Sequence, residues 1–342
     1  MSMSMSLGLV ADSFLALLIL GLAVWTIAVR GTYAAVVGFV AYGLLVALVW
    51  VRLAAVDVAL TEAALGSGLM GLLLLRAAAC LPRDAAVPAS GRVGRVALRV
   101  VVGVLCAGLT AVLAAVVLQL PEPAPSLAAA AAQVLPTTGL GNPVTGVLIA
   151  YRAIDTLLEA VVLVLALIGL WSLAADGAWG GRPGALRTRE PGAALVLLAQ
   201  LLPPVGILVG IHLFWTGANH PGGAFQGGAV LAAMWAIVLV AGLAAAPRVD
   251  GRRLRLVLVV GPALFFAIGL AGIWWADAFL GYPADWAKPL ILVIEAALTL
   301  SIAAALGLLL AGPPAAEPGP GPVVGAAGQL SWKEQSSTDE HR

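Results

Sequence analysis

Residues 142–170, NPVTGVLIAYRAIDTLLEAVVLVLALIGL, decide the fold class. This long apolar run contains three charged residues, Arg152, Asp155 and Glu159. With about 100° between successive residues of a helix, all three lie within roughly 60° of one another on one stripe. A charge at the centre of a bilayer costs about 2.5–3.5 kcal/mol on insertion scales. Three on one stripe must therefore pair, meet a partner helix or line a wet path.

The composition of the whole chain is that of a membrane protein. Of 342 residues, 62% are hydrophobic and only 10% are charged, whereas soluble domains carry about 25% charged residues. So few charges cannot cover a water-facing surface, and we predict an all-α polytopic membrane protein. The net charge of +1 argues against a nucleic-acid partner.

Nine apolar runs have the length of a transmembrane helix, which needs about 20 residues. They are residues 7–29, 33–51, 55–79, 96–120, 143–173, 192–214, 224–246, 256–275 and 289–311. The loops favour an outside N-terminus and a cytoplasmic C-terminus, because most of the 18 basic residues then lie on the inner side. In that orientation only Arg52 and Lys288 lie on the outer side.

Loop composition divides the chain into modules. We predict a three-helix module over residues 1–82, a two-helix module over 92–178 and a four-helix module over 190–312. The tail over 313–342 is rich in Pro and Gly and then polar, which is typical of a disordered segment.

The acidic residues inside the predicted spans are candidates for an ion or proton path. Because Arg152 and Asp155 are three residues apart, they can neutralise each other. Glu159 is then the free proton site near mid-membrane. The alternative is a closed structural ion-pair network between subunits.

Two further carboxylates begin the third span. Glu62 lies about 10 Å from the start of that helix, deep enough to need a partner. Asp57 either belongs to the ion path or begins the helix, where a carboxylate meets the positive end of the helix dipole.

Two more residues complete the set of candidates. Glu295 is alone on its helix and is either a relay residue or a hydrogen-bond partner between helices. His212, near the outer end of its span, is either a packing residue or a proton relay.

The connection between the sixth and seventh spans is rich in glycine, GANHPGGAFQGG over residues 217–228. A glycine-rich turn before a helix can cradle a phosphate, but the Lys-Ser/Thr pair and the preceding strand of a P-loop are both missing. The G-x-x-x-G spacing of Gly223 and Gly227, with Gly228 adjoining, instead predicts close helix packing. No nucleophile–base pair or metal-ligand cluster occurs, so we predict neither an enzyme nor a bound cofactor or metal.

The same glycine-rich stretch resembles a family signature. The MnhB/MrpB subunit of Mrp-type multisubunit cation/proton antiporters has the pattern G-H-x-x-P-G-G-G-F-x-G-G. The residues that match it here are Gly217, Pro221, Gly222, Gly223, Phe225, Gly227 and Gly228. Ala218 and Ala224 replace the family's His and Gly, and the loop carries its histidine at His220 instead.

Two other stretches resemble neighbouring modules of such complexes. DVALTEAALGSGL, residues 57–69, is similar to the MbhD module of membrane-bound hydrogenases, which also occurs near the C-terminus of the MrpA subunit. Residues 142–163 resemble the MbhE-type segment. The positions on that pattern are Arg152, Asp155, Thr156, Leu157 and Glu159, whereas Ala150 and Leu158 replace its Asp and Gly.

These resemblances imply an accessory subunit of an Mrp-type Na⁺/H⁺ antiporter in the cytoplasmic membrane. By position they give Glu62, Asp155 and Glu159 a place in the ion path. They imply as partners other Mrp-type subunits, including the large antiporter-like ones, the lipid bilayer, and Na⁺ or another monovalent cation with H⁺. One alternative is the same module set in a redox-driven, membrane-bound hydrogenase-like complex. Another is a structural membrane scaffold with silent charges.

Overall fold

The computed structural model describes residues 2–80, 92–123, 125–184 and 191–315. These residues are almost entirely helical. The α-helices are α1 Ser2–Ala28, α2 Thr32–Arg52, α3 Val56–Thr61, α4 Met70–Cys80, α5 Arg92–Leu118, α6 Ala128–Val134, α7 Pro143–Thr145, α8 Ala153–Trp171, α9 Ala193–Gly217, α10 Ala224–Val240, α11 Arg252–Trp275 and α12 Ala287–Ala311. Two π-helical segments, Glu62–Leu69 and Gly146–Tyr151, and two 3₁₀ turns, Leu135–Thr138 and Asp176–Ala178, complete the helical part.

All nine predicted spans correspond to helices, and eight of those within the described ranges are long and apolar enough to cross a membrane. The seventh span is shorter than expected, because α10 ends at Val240 and has 17 residues. Its end is a glycine cap: Gly242 lies at φ 70°, and the N–H of Leu243 donates to the Val238 carbonyl. The chain is therefore an all-α polytopic membrane protein. The orientation of its termini stays a prediction.

Two spans that the sequence predicts as continuous helices are interrupted. A π-helical segment, Glu62–Leu69, separates α3 from α4. The fifth span begins with α7 and the π-helical segment Gly146–Tyr151, and then breaks at Arg152, whose φ of −125° and ψ of 39° are not helical. Arg152 thus caps α8 and does not lie within a continuous stripe. Asp155 and Glu159 still share one face of α8.

Helix α12 is the centre of the fold. It contacts α8, α9, α10 and α11, and Ile291, Ile294 and Leu298 are completely buried. Small residues on its neighbours permit this close approach. A Cβ on Gly261 would lie 3.0 Å from the Ala297 carbonyl oxygen, so α11 contacts the α12 backbone directly.

The helices of the first module pack on one another, with an exposed ion pair between α1 and α2, and the module packs against α10. Arg52 Nε lies 2.7 Å from Asp12 Oδ1, which joins α2 to α1 at one end of the pair. The segment Glu62–Leu69 packs on α2 and also contacts α10. At the end of α4, Arg76 donates to the carbonyl of Leu310 in the last turn of α12. Helix α5, in contrast, is exposed along its whole length between Val96 and Leu118.

A short two-stranded sheet lies at the end of the fold where α12 ends. The strands β1 Arg182–Pro183 and β2 Pro314–Ala315 pair antiparallel. In the adjacent turn Arg248 hydrogen-bonds Asp250 at 3.0 and 3.1 Å, which lowers the pKa of the Asp250 carboxyl. Thus the first residues of the predicted disordered tail are ordered as far as Ala315. Residues 316–342 lie outside the described part, as do the loop residues 81–91 and 185–190.

Candidate functional site

The carboxylate of Asp57 lies at the point where the three predicted modules meet. Asp57 is in the first turn of α3 and only 7% exposed. Its Oδ1 accepts hydrogen bonds from Gly222 N at 2.9 Å and from Asn142 Nδ2 at 3.2 Å. A single oxygen atom of the first module therefore binds both Asn142, the residue before α7, and Gly222, in the loop before α10.

Asn142 provides the second half of this junction. Its Oδ1 caps α7 by accepting from Val144 N at 2.9 Å. Its Nδ2 lies 3.1 Å from the Gly217 carbonyl and 3.0 Å from the His220 carbonyl, in addition to Asp57. The side chain thus satisfies polar groups of all three modules at a buried position.

The loop over residues 217–223, which we call the motif loop, requires glycine at its contact points. Gly222 and Gly223 lie at φ 153° and 133°, a region that favours glycine. A Cβ on Gly217 would lie 2.7 Å from Gly223 N, so the two ends of the loop touch through their backbones. Gly223 N donates to the Leu213 carbonyl at 3.0 Å, which folds the loop back on α9.

Gly227 and Gly228 of the motif lie at close contacts between helices. A Cβ on Gly227 would lie 2.7 Å from the Gly210 carbonyl oxygen of α9. A Cβ on Gly228 would lie 3.2 Å from the Thr299 carbonyl oxygen of α12. Gly223, the other half of the G-x-x-x-G spacing, is not within the helix but forms its N-cap. The motif therefore fits α10 between α9 and α12.

A cavity of about 370 Å³ lies directly beneath this junction, and we call it the junction cavity. Residues from all three predicted modules form its wall. The polar side chains among them are Thr61, Thr145, Thr156, Glu159, Gln226 and Glu295. Of the predicted acidic candidates, tertiary packing thus brings Glu159 and Glu295 to one cavity, with Asp57 in the adjoining layer.

The two carboxylates of the junction cavity differ in their surroundings. Glu295 is 2% exposed, and its Oε2 has no hydrogen-bond partner. Glu159 lies on an exposed part of α8, so its carboxyl group joins the cavity to the outer surface of this chain. Between them the cavity offers a buried and an accessible carboxylate within one polar chamber.

The other candidates lie apart from the junction cavity. Arg152 NH2 and Asp155 Oδ2 are 2.6 Å apart, which confirms the predicted pair; the Arg152 side chain is 71% exposed. Glu62 turns towards α2, where a Cβ on Gly43 would lie 3.3 Å from its Oε1. His212 is exposed on α9, and its backbone carbonyl accepts a hydrogen bond from Thr216 Oγ1.

The remaining predicted residues of the motif are Pro221, His220 and Phe225. Pro221 and His220 are exposed, and the His220 carbonyl binds Asn142. Phe225 packs partly buried against the main core. The described residues contain no group of three or more His, Cys, Asp or Glu side chains with the arrangement of a metal site.

Sequence reasoning missed Asn142 and Gln226 as site residues. Gln226 Nε2 donates to Thr61 Oγ1 at 3.0 Å and to the Asp57 carbonyl at 3.3 Å, which ties α10 to α3. A signal for Asn142 was present, because an Asn directly before Pro143 is a typical helix N-cap. Gln226 lies at a variable position of the motif and carries no such signal.

Comparison with protein families identifies two parts of the chain. Residues 17–83 match the MbhD family of MBH subunits. Residues 194–314 match a domain related to the MnhB subunit of Na⁺/H⁺ antiporter. These matches confirm two of the resemblances seen in the sequence, and the MbhE-type resemblance of residues 142–163 stays a prediction. No curated protein matches the chain significantly.

Two solved structures resemble the fold. A chain in the structure of the Mrp complex from Dietzia sp. DQ12-45-1b is 24% identical, with a TM-score of 0.65, over 86% of this chain and 34% of that one. This chain thus spans about a third of that protein's length. A chain of the archaeal membrane-bound sulfane sulfur reductase, a respiratory membrane complex, is 23% identical over 62% of this chain and 97% of that one, with a TM-score of 0.49. Two separate parts of this membrane-spanning chain thus match family models, the first that of MbhD and the second that of the MnhB-related domain.

Proposed function

We propose that this chain is an accessory membrane subunit of a multisubunit monovalent cation/proton antiporter, located in the cytoplasmic membrane. The observation that supports it most is the junction cavity, in which Glu159 and Glu295 converge from different modules. Ionisable residues inside membrane spans are costly and usually mark ion or proton paths. In this proposal the subunit supplies carboxylates to the path and carries out no covalent chemistry.

The path that we propose includes the accessible side of the cavity. Glu159 is exposed beside the Arg152–Asp155 pair, in which the Arg152 side chain is 71% and the Asp155 side chain 39% exposed. Charged side chains on the lipid-facing surface of a helix are unfavourable. A partner subunit that covers this part of α8 would remove them from lipid and extend the path from Glu159. Glu62, Asp57 and His212 stay candidates for a second branch, outside the junction cavity.

The proposal is tested by removing the accessible carboxyl. In the assembled complex we expect Glu159→Gln to lower Na⁺-dependent proton flux into vesicles about tenfold or more, because losing an exchangeable group raises the barrier by at least about 1.4 kcal/mol. Glu122→Gln is the matched control, since Glu122 lies in the exposed segment after α5. Wild-type flux in both Glu159→Gln and Glu62→Gln would refute the carboxylate path.

A second candidate is a place in the membrane arm of a redox-driven complex, which the MbhD match favours. The partners separate the two. The tagged full chain is extracted in mild detergent, and the proteins that accompany it are identified. Large antiporter-like subunits alone support the antiporter, whereas iron–sulfur or nickel subunits support the redox-driven complex. A chain that is isolated alone and still passes ions would contradict both.

A further inference from the structure

The carboxyl group of Glu295 is the most completely buried acid among the described residues. It lies in the third turn of α12, is 2% exposed, and has one oxygen, Oε2, without a hydrogen-bond partner. A carboxylate removed from water is strongly destabilised unless it is paired, hydrogen-bonded or protonated. Something that the side chains do not supply must therefore satisfy this oxygen.

The side-chain donors around the junction cavity are already committed. Thr61 Oγ1 donates to the Asp57 carbonyl, Thr145 Oγ1 to the Gly217 carbonyl and Thr156 Oγ1 to the Leu148 carbonyl. The amide nitrogen of Gln226 is also used, by Thr61 and Asp57. Each of these donors is thus already used in another hydrogen bond, and none of them donates to Glu295.

The amide oxygen of Gln226 and the carboxyl group of Glu295 both lie close to Gly223. A point at the Cβ position of Gly223 lies 3.1 Å from Gln226 Oε1 and 3.6 Å from Glu295 Oε1. Because Gly223 has no side chain, nothing from that residue separates the two oxygens. Both oxygens thus border the space over Gly223, where an amide oxygen can only accept a hydrogen bond, from a protonated carboxyl or from water.

We propose that Glu295 binds an exchangeable proton, and that Gln226 is the positioning residue that accepts the hydrogen bond of the protonated carboxyl. This inference rests on the proposed function and names the proton as the ligand of the buried part of the path. The other ionisable groups near Glu295 are acidic: Asp57 on α3 and Glu159 on α8. Lys288, two turns earlier on α12, is bound to Asn219 Oδ1 at 3.0 Å.

The same geometry explains how the proton can leave. Gly223 is the N-cap of α10, so the N-terminus of that helix lies beside Glu295 Oε1. The cavity of about 370 Å³ has room for water between Glu295 and Glu159. Glu295 thus holds the proton in the interior, and Glu159 exchanges it with the surface of this chain.

The experiment is reaction with dicyclohexylcarbodiimide, an apolar reagent that adds the O–H of a protonated carboxyl across one of its C=N bonds. The adduct rearranges to a stable N-acylurea without loss of atoms. The purified complex that contains the full chain is labelled over a pH series, and mass spectrometry measures the adduct on the Glu295 peptide. We expect labelling at Glu295 that falls about tenfold per pH unit once the carboxyl deprotonates. Glu295→Gln should abolish it.

The controls separate proton binding from other roles. Replacing choline chloride with NaCl at equal ionic strength should leave the labelling unchanged, whereas strong protection by Na⁺ would overturn the proposal and make Glu295 a metal-cation ligand. An infrared spectrum tests the same point without a reagent, because the protonated carbonyl stretch should disappear in Glu295→Gln. Absence of that band in the wild-type complex would also overturn it.

The role of Gln226 has its own readout. Gln226→Glu places a second acid opposite Glu295, so the pH midpoint of labelling at Glu295 should shift by about one unit or more. Gln226→Leu should shift it as well, whereas Thr299→Val, beside Glu295 but bound to its backbone carbonyl, should not. An unchanged midpoint in both Gln226 variants would exclude a positioning role. These measurements do not depend on transport, so they can fail independently of the proposed function.

Discussion

Replacing Gly217 by alanine is expected to open the motif loop and to lower the free energy of unfolding by about 3 kcal/mol or more. The new Cβ would lie 2.7 Å from Gly223 N and 2.8 Å from Gly223 Cα. Both are backbone atoms, which cannot move aside as the end of a flexible side chain can. Overpacking at a closed contact typically costs about 1–3 kcal/mol. Here the carbonyl of Gly217 also binds Asn142 and Thr145, so the displacement loses those hydrogen bonds too.

The measurement is unfolding of the purified protein by denaturant in lipid bicelles. Gly103→Ala is the matched control, because Gly103 lies within α5 and a Cβ there meets no atom within 4 Å. Alanine in an exposed helix is favoured over glycine by about 1 kcal/mol, so this variant should be neutral or slightly more stable. Equal stability of the two variants would show that the loop is not closed at Gly217.

Replacing Asp57 by alanine is expected to lower the free energy of unfolding by about 2–4 kcal/mol. The buried N–H of Gly222 loses its acceptor, and a hydrogen bond from Asn142 to a charged group is lost. Hydrogen bonds to charged groups are worth about 1.5–3 kcal/mol, and an orphaned buried donor costs about 1–3 kcal/mol. Because the same oxygen joins three modules, we also expect less assembled complex in the membrane.

Two variants give this prediction its controls. Asp12→Ala removes an acid whose side chain is 52% exposed in its ion pair with Arg52, and exposed pairs contribute about 0–1 kcal/mol. Asp57→Asn keeps an acceptor oxygen for Gly222 and should recover most of the lost stability. If Asp57→Asn recovers the stability while proton flux still fails, the charge of Asp57 belongs to the ion path and not only to the junction. A loss of stability equal to that of Asp57→Ala would contradict the assigned role of the acceptor oxygen.

These two predictions concern one layer of the protein, which lies between the two parts that match family models. The MbhD match contains Asp57 and the MnhB-related match contains the motif loop. The two parts contact each other directly, where Gly222 N donates to Asp57, and also through Asn142, in a segment that neither match covers. The junction cavity lies beneath this contact, so any movement of one module against another would change the space around Glu159 and Glu295.

The sequence was sufficient to predict the spans because hydrophobicity and length alone identify a transmembrane helix. It was not sufficient to predict the interruptions at Glu62–Leu69 and Arg152. Neither segment contains a proline, and a π-helical turn needs only one extra residue in the hydrogen-bond pattern. Such a shift is decided by the packing of neighbouring helices.

The sequence by itself determined the membrane class, the cost of each intramembrane charge and the pairing of Arg152 with Asp155. All three depend on composition or on residues a few positions apart. Only the tertiary structure decided that Glu295 shares a cavity with Glu159, whereas Glu62 turns to α2. The reason is physical: which face of α12 is buried depends on the small residues of α10 and α11 that allow it to approach. These contacts join residues far apart in the chain, and no local pattern specifies them.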